Sequence, residues 1–232
     1  MSKVSISNRP TKLNFKFLIP IAMVYIMIYL AADSVAFKMV QLGPLLLPGP
    51  PFIFPVTYAI GDILAEVYGF RISRNIIYYT LVIEILYALI VRTIIGFQSP
   101  AHWGLENDFI NVFGHIIRFV FSGCFSVLAS SIINVFLFSK IKVLMNGKMF
   151  WFRSVVSSAI GGFVLVFIII VFGYSAVLNV NQMLHMFISI YILELLYACA
   201  LIWPAWKIST MLKLVERIDV YDYQLNFTSL FK

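Results

Sequence analysis

The stretch FPVTYAIGDILAEVYGFRISR, residues 54–74, decides how this chain must fold. It lies between two strongly apolar regions, yet it carries two carboxylates, Asp62 and Glu66, four residues apart. At helical spacing the two acids share one face, and Tyr58 lies one turn earlier on the same face. The pattern therefore predicts a buried helix that carries acids at membrane depth.

A row of small residues lies beside the two acids. Gly61, Ala65 and Gly69 recur at every fourth position, a pattern that lets membrane helices approach one another closely. Arg71 and Arg74 then end the stretch abruptly. We therefore expect a tightly packed helix that ends near residue 69 and leads into a short basic loop.

The composition is that of an integral membrane protein. Of the 232 residues, 62% are hydrophobic and only 12% are charged, whereas soluble domains are about 45–50% apolar and about 25% charged. The basic residues stand at the ends of apolar runs, which is typical of cytoplasmic loops and not of a nucleic-acid-binding face. The sequence contains no enzyme motif, and the two cysteines lie within apolar runs. We therefore expect no enzymatic activity, no cofactor, no metal and no nucleic-acid partner.

Six apolar runs are long enough to cross a bilayer as helices, which need about 20 residues. The predicted fold is therefore an all-α polytopic membrane protein with six transmembrane helices. These helices are expected at 17–38, 52–69, 75–97, 109–138, 152–174 and 183–206. They form one domain, 17–206, between a basic N-terminal segment, 1–16, and a C-terminal tail, 207–232. The proline- and glycine-rich segment 43–51 cannot continue a helix and is expected to tuck into the protein.

The distribution of Lys and Arg predicts the orientation. Fourteen of them fall in the N-terminal segment, the 2–3 and 4–5 loops and the C-terminal tail, against Lys38 alone on the opposite side. Positive residues concentrate on the cytoplasmic side of membrane proteins. Both termini are therefore expected in the cytoplasm. The membrane lipid is one expected partner, and the small-residue rows leave a homodimer open.

An internal similarity links the third and sixth predicted helices. Glu84–Ala88 reads EILYA and Glu194–Ala198 reads ELLYA. Each segment belongs to the third helix of its half, and two three-helix halves are inverted relative to each other. Inverted repeats are common in transporters, so we consider two inverted three-helix halves as a hypothesis.

Buried charges supply the candidate functional residues. A charge at the bilayer centre costs at least about 2.5–3.5 kcal/mol on insertion scales, and two adjacent acids repel each other. A functional role for Asp62 and Glu66 is therefore favoured over pure scaffolding. On the fourth predicted helix a row of small and polar residues is either a helix-packing face or the wall of a polar cavity, from which Arg118 could pair with either acid. The row comprises Gly114, Arg118, Ser122, Ser126, Ser130 and Asn134.

The helix 2 motif resembles that of the vitamin uptake transporter family, whose characterised members are queuosine precursor transporters. The residues that carry the resemblance are Phe54–Tyr58, Gly61–Phe70 and Arg74, with weaker similarity at Asp33–Lys38, Trp151–Gly161, Leu196–Tyr197 and Pro204. The resemblance implies a bacterial inner-membrane importer of 7-deazaguanine bases. A carboxylate can accept the adjacent N–H groups of such a base, and aromatic rings can stack on it.

The resemblance implies a substrate site, and the sequence departs from the family pattern around it. Proposed substrate contacts are Asp62, Glu66, Tyr58, Arg118, Asn134 and Glu194, with Glu84 as a candidate for energy coupling. Where the family has Gln and Asp three apart, this chain has Ser131 with Asn134 and Gly162 with Leu165, and Glu194 stands where a Lys is expected. The exact 7-deazaguanine, or another vitamin-like molecule, therefore stays open.

Two other functions compete with a stand-alone carrier. The chain could be the substrate-binding subunit of an ATP-driven vitamin importer, or a structural membrane protein without transport activity. If the two acids bind substrate, Asp62→Asn or Glu66→Gln should abolish uptake and leave the amount of protein in the membrane unchanged.

Overall fold

Seven α-helices make up most of the part of the chain that the structure describes. The computed structural model describes residues 4–5, 15–36, 38–43, 45–100, 102–114, 116–174 and 179–226. The helices are α1 (Leu18–Ser34), α2 (Pro55–Tyr68), α3 (Phe70–Ile95), α4 (Glu106–Phe113), α5 (Ile116–Leu144), α6 (Phe150–Ile169) and α7 (Val180–Glu216). A π-helical segment, Ile170–Tyr174, continues α6. The prediction of an all-α fold is confirmed.

Four helical segments of the described chain are long and apolar enough to cross a membrane. They are Phe70–Ile95, Gly123–Leu144, Phe150–Phe172 and Val180–Glu216. Their outward faces are apolar, with Ile90 and Leu196 63% and 62% exposed, as expected of surfaces in contact with lipid. Helix α1 is apolar but has 17 residues, about 25 Å. The chain is an integral membrane protein.

Helix α2 lies at the centre of the bundle. It packs against α1, α3, α5, α6 and α7, and all of its residues except Val56 and Ala59 are buried. Its 14 residues extend about 21 Å, less than the hydrocarbon thickness of about 30 Å. Because protein surrounds α2 on all sides, its two acids never face lipid.

A single residue, Gly69, separates α2 from α3. It has φ +86° and ψ 170°, a conformation that is essentially restricted to glycine. The carboxylate of Asp222 then accepts a hydrogen bond from the backbone N–H of Phe70 at 2.7 Å, which satisfies one of the free amides at the start of α3. The predicted basic loop at 70–74 is therefore wrong: Arg71 and Arg74 lie in the first turns of α3.

Replacing Gly69 with alanine should lower the free energy of unfolding by about 1–3 kcal/mol, because the backbone conformation would be strained. The new Cβ would also approach Cγ1 of Val220 to 2.7 Å. Gly61→Ala is the matched control on the same helix, since its Cβ would meet Val135 at an ordinary 3.6 Å. Thermal unfolding of both purified variants in detergent checks this, and equal stability of the two would contradict it.

A close contact between helix backbones occurs at a glycine outside the predicted small-residue row. At Gly161 of α6, an added Cβ would lie 3.0 Å from Cβ of Asn134 and 3.1 Å from the carbonyl oxygen of Ser130, both on α5. The tight helix pair is therefore α5 with α6, whereas Gly61 leaves ordinary space.

Two other predicted boundaries differ in the structure. The fourth predicted helix, 109–138, is divided: α4 ends at Phe113 with Gly114 as its C-cap, and α5 runs from Ile116 to Leu144. Gly114 therefore does not belong to the polar row of α5. The last helix continues past the predicted end at 206 to Glu216. The charged side chains of this extension can remain helical because Lys213 pairs with Glu66 and Glu216 accepts a hydrogen bond from Tyr68.

Two pairs of short strands lie outside the helices. The segment after α1 forms an antiparallel hairpin, β2 (Met39–Leu42) with β3 (Leu45–Pro48), followed by a 3-10 turn at Pro50–Phe52. Leu47 is buried, which confirms that this proline-rich segment tucks into the protein. The second pair joins the two terminal regions: β4 (Val220–Tyr221) pairs in parallel with β1 (Val4–Ser5).

Candidate functional site

The two acids of α2 share a face but have different partners. Asp62 is fully buried and accepts hydrogen bonds from Nδ2 of Asn134 at 3.2 Å and from Oγ of Ser154 at 2.5 Å. The structure thus brings together two of the proposed substrate contacts, Asp62 and Asn134. It adds Ser154, which the sequence analysis did not propose as a substrate contact.

Glu66 lies in an ion-pair cluster that comprises Glu66, Lys142, Arg153, Lys213 and Asp219. The guanidinium of Arg153 donates to both carboxylate oxygens of Glu66, from Nη1 at 2.6 Å and from Nη2 at 3.2 Å. Nζ of Lys213 donates to Oε1 of Glu66 at 2.5 Å. Lys142 and Lys213 also pair with Asp219, at 2.6 and 2.9 Å. Glu66 therefore already has cationic partners, and its role as a substrate contact stays a prediction.

The cluster changes the interpretation of three basic residues. From the sequence, Lys142, Arg153 and Lys213 were expected in loops or in the tail, but they lie in α5, α6 and α7, and Arg153 is 0% exposed. These three cations are the described partners of Glu66, and the predicted pairing of Arg118 with an acid of α2 stays a prediction. The side chain of Arg118 lies outside the part of the structure that is described.

A central cavity of about 90 Å³ lies between α1, α3, α5, α6 and α7. Its walls are mostly aromatic, proline and aliphatic, among them Tyr29, Phe54 and Pro48. Three acids also line it: Asp33, Glu84 and Glu194. The volume is enough for several water molecules, and the described lining residues include buried acids but no lysine or arginine.

The three acids of the central cavity form a pair and a single group. Asp33 and Glu84 lie within hydrogen-bonding reach of each other, with the thiol of Cys124 beside Glu84. Two carboxyl groups can hydrogen-bond only when a proton lies between them. Glu194 stands apart and is only 5% exposed, and its Oε2 has no hydrogen-bond partner among the described residues.

The backbone of α6 makes the room that the Glu194 carboxylate occupies. An added Cβ at Gly162 would overlap Oε2 of Glu194. Two of the departures from the family pattern, Gly162 and Glu194, are therefore in direct contact. The glycine at position 162 leaves room for the carboxylate at position 194.

A smaller space connects Glu194 to the α2 site. It is lined by Tyr58 and Ser154 as well as Glu194, so Glu194 lies between this space and the central cavity. Ser154 in turn donates to Asp62. The predicted contacts Tyr58 and Glu194 therefore line one small space, and Asp62 with Asn134 lies behind its Ser154, whereas Glu66 does not line it.

The two glutamates of the internal similarity meet at the same place. Glu84 of α3 and Glu194 of α7 both line the central cavity. The hypothesis of two inverted three-helix halves stays a prediction. Asp33 is a further cavity residue, and the sequence indicated it only through its similarity to the family motif on helix 1.

A family model described as "Putative vitamin uptake transporter" matches residues 48–207. The chain belongs to the vitamin uptake transporter family. Membership implies a transporter and not an enzyme, and it agrees with the apolar helices of the structure. No curated protein and no solved structure gives a significant match to the chain.

The family match covers most but not all of the two sites of this vitamin uptake transporter. Glu66, Arg153 and Glu194 lie within it, whereas Asp33 precedes it and Lys213 and Asp219 follow it. The family region thus contains the core of both the central cavity and the ion-pair cluster. The flanking segments supply one acid to the cavity and one ion pair to the cluster.

Proposed function

We propose that this protein imports a 7-deazaguanine base, a precursor of queuosine, or a related small vitamin-like molecule across the bacterial inner membrane. The substrate binds in the central cavity, with Glu194 as the main hydrogen-bond acceptor. One observation supports this assignment most strongly: Glu194 is a buried carboxylate without a described partner for Oε2, and it faces an apolar cavity.

The chemistry of the cavity favours a flat molecule rich in N–H donors. A carboxylate accepts two neighbouring N–H groups as a bidentate pair, and a buried acceptor left without a partner is costly. The ring N–H and amino group of a 7-deazaguanine base offer such a pair. The aromatic walls formed by Tyr29 and Phe54 suit the faces of the base.

The pair formed by Asp33 and Glu84 is the proposed site of energy coupling. Because these carboxyl groups share a proton when they hydrogen-bond, release of that proton would change the charge of the cavity beside the bound substrate. This assigns Glu84 to proton coupling, with Asp33 as its partner. Tyr58, Asp62 and Asn134 are proposed to extend the site through Ser154, which donates to Asp62.

For the topology we propose six membrane-spanning helices with both termini in the cytoplasm. Helices α3, α5, α6 and α7 are long enough on their own, and α1 and α2 supply the other two spans. The three cations of the ion-pair cluster lie near the C-terminal ends of α5 and α7 and the N-terminal end of α6, hence at one end of the bundle. That end is the cytoplasmic one by the positive-inside rule.

Uptake of a labelled panel of 7-deazaguanine bases and vitamins tests the function. Cells that cannot make queuosine precursors should accumulate at least one 7-deazaguanine when they express the protein, and should not without it. Vesicles that contain only the purified chain should also take up that compound, which would exclude an obligatory ATP-driven module. Failure of every 7-deazaguanine in both assays would overturn the substrate assignment.

A further inference from the structure

A second and larger pocket lies at the basic end of the bundle. Its volume is about 270 Å³, compared with about 90 Å³ for the central cavity. One stripe of α7, the start of α6, Gly147 and the Glu66 carboxylate of α2, which is paired with Arg153 and Lys213, form its walls. The residues that carry the argument are Arg153, Lys213, Ser209, Trp206, Met149 and Phe150.

The charge around this basic pocket is positive. The ion-pair cluster contains three cations, Lys142, Arg153 and Lys213, and two carboxylates, Glu66 and Asp219, which leaves one positive charge. Glu216 does not line the pocket, and its carboxylate accepts hydrogen bonds from the backbone N–H of Phe17 and the hydroxyl of Tyr68.

Lys213 has a hydrogen-bond donor to offer to a ligand. Its ammonium group carries three donors, of which two bind Glu66 and Asp219, at 2.5 and 2.9 Å. Its side chain is 16% exposed, and it lines the pocket. A third donor on a group that is neither fully paired nor fully exposed suits an oxyanion.

A buried hydroxyl in the same wall also lacks a partner. Ser209 is 2% exposed, and its Oγ has no hydrogen-bond partner among the described residues. It lies one helical turn before Lys213, so the two side chains share a face of α7. Met149 and Phe150 place the N-terminus of the 20-residue helix α6 at the pocket, and helix N-termini favour anions.

We propose that the basic pocket binds an anionic phosphate group, supplied by a phospholipid headgroup or by a soluble phosphate compound. Lys213 and Ser209 donate hydrogen bonds to the phosphate oxygens, and Arg153 contributes charge. Trp206 and Met149 are about half exposed at the pocket, and basic pockets between membrane helices suit anionic lipid headgroups. This site is separate from the central cavity and does not depend on the identity of the transported substrate.

Thermal unfolding of the purified full chain in detergent tests the proposal. The probes are phosphatidylglycerol, zwitterionic phosphatidylcholine, inorganic phosphate and chloride at matched ionic strength. We expect phosphatidylglycerol to raise the unfolding temperature more than phosphatidylcholine does, and inorganic phosphate to compete with it. Stabilisation by inorganic phosphate alone would retain the phosphate site and assign it to a soluble ligand. Equal responses to all four probes would overturn the proposal.

Two variants locate the binding site. Lys213→Gln should weaken phosphatidylglycerol binding about tenfold, because a charge-assisted hydrogen bond is lost. Lys207→Gln is the matched control: it removes the same charge from the same helix at an exposed position outside the pocket. Ser209→Ala should weaken binding without lowering the unfolding temperature of the ligand-free protein, because its hydroxyl has no described partner. Equal effects of the two lysine variants, or unchanged binding by both Lys213→Gln and Ser209→Ala, would refute the assignment.

Discussion

Glu66→Gln is expected to lower the free energy of unfolding by about 3–5 kcal/mol, the cost of breaking a buried ion pair from one side. The change leaves Lys142, Arg153 and Lys213 with Asp219 as the only carboxylate of the ion-pair cluster. Arg153 is 0% exposed and would keep at most one hydrogen bond to residue 66, because an amide has a single acceptor oxygen and its NH2 group faces the guanidinium donors. Thermal unfolding and the yield of folded protein from membranes measure the effect.

Glu106→Gln is the matched control, since it makes the same substitution at a partly exposed position in the first turn of α4. The double variant Glu66→Gln/Arg153→Met should recover part of the lost stability, because it removes the cation that was left without a carboxylate. If Glu66→Gln proved as stable as Glu106→Gln, the ion-pair cluster would not hold the bundle together. An unchanged amount of Glu66→Gln protein in the membrane, together with lost uptake, would instead support Glu66 as a substrate contact.

Glu194→Gln is expected to reduce uptake by about 10-fold to 100-fold while leaving the fold intact. A neutral amide loses one charge-assisted hydrogen bond to the substrate, worth about 1.5–3 kcal/mol, and it turns an N–H group toward the substrate's own donors. The free energy of unfolding should stay the same or increase, because Oε2 of Glu194 has no described hydrogen-bond partner to lose. Initial uptake rates, normalised to the amount of folded protein, measure the effect.

Gly162→Ala tests the same site without removing a charge. The added Cβ would overlap Oε2 of Glu194, so the carboxylate must move and uptake should fall. Glu106→Gln serves again as the control and should transport normally. Normal uptake by both Glu194→Gln and Gly162→Ala would remove Glu194 from the substrate site.

The sequence predicted the elements of the fold better than it predicted their ends. Hydropathy located a counterpart of each of the six predicted helices, because apolar runs are strong signals. It ended the helices that contain Lys142 and Lys213 too early, because hydropathy averaged over a window treats charged residues as loop residues. Only the tertiary structure shows that these lysines neutralise acids inside the bundle.

The four-residue spacing of buried residues on α5 and α6 indicated the cations of the ion-pair cluster, although hydropathy did not. On α6, Arg153, Ser157 and Gly161 are four residues apart, and all three are buried. This buried row of α6 therefore includes a cation at its first position. On α5, the polar row through Ser130 and Asn134 reaches Lys142 two steps later. Extending the α5 row beyond its predicted end at 138 would have placed Lys142 on a buried face, and following the α6 row back to its start would have done the same for Arg153.

The candidate site was predicted in part. Helical periodicity placed Asp62 beside Tyr58, and the polar row pointed to Asn134, which contacts Asp62. Periodicity does not reveal which of two acids on one helix face meets cations from other helices, so Asp62 and Glu66 could not be told apart. Asp33 joins Glu84 in the cavity through a contact between α1 and α3, which spacing within one helix cannot show.

The central position of α2 also constrains the order in which the protein can assemble. The cations that neutralise Glu66 are synthesised long after it: Arg153 follows by 87 positions and Lys213 by 147. At about 5–20 residues per second, a ribosome adds the last of them roughly 7–30 s later. The later and more lipid-exposed helices must therefore reach the bilayer before α2 can settle among them. The helix that lies at the centre of the finished protein is among the last to reach its place.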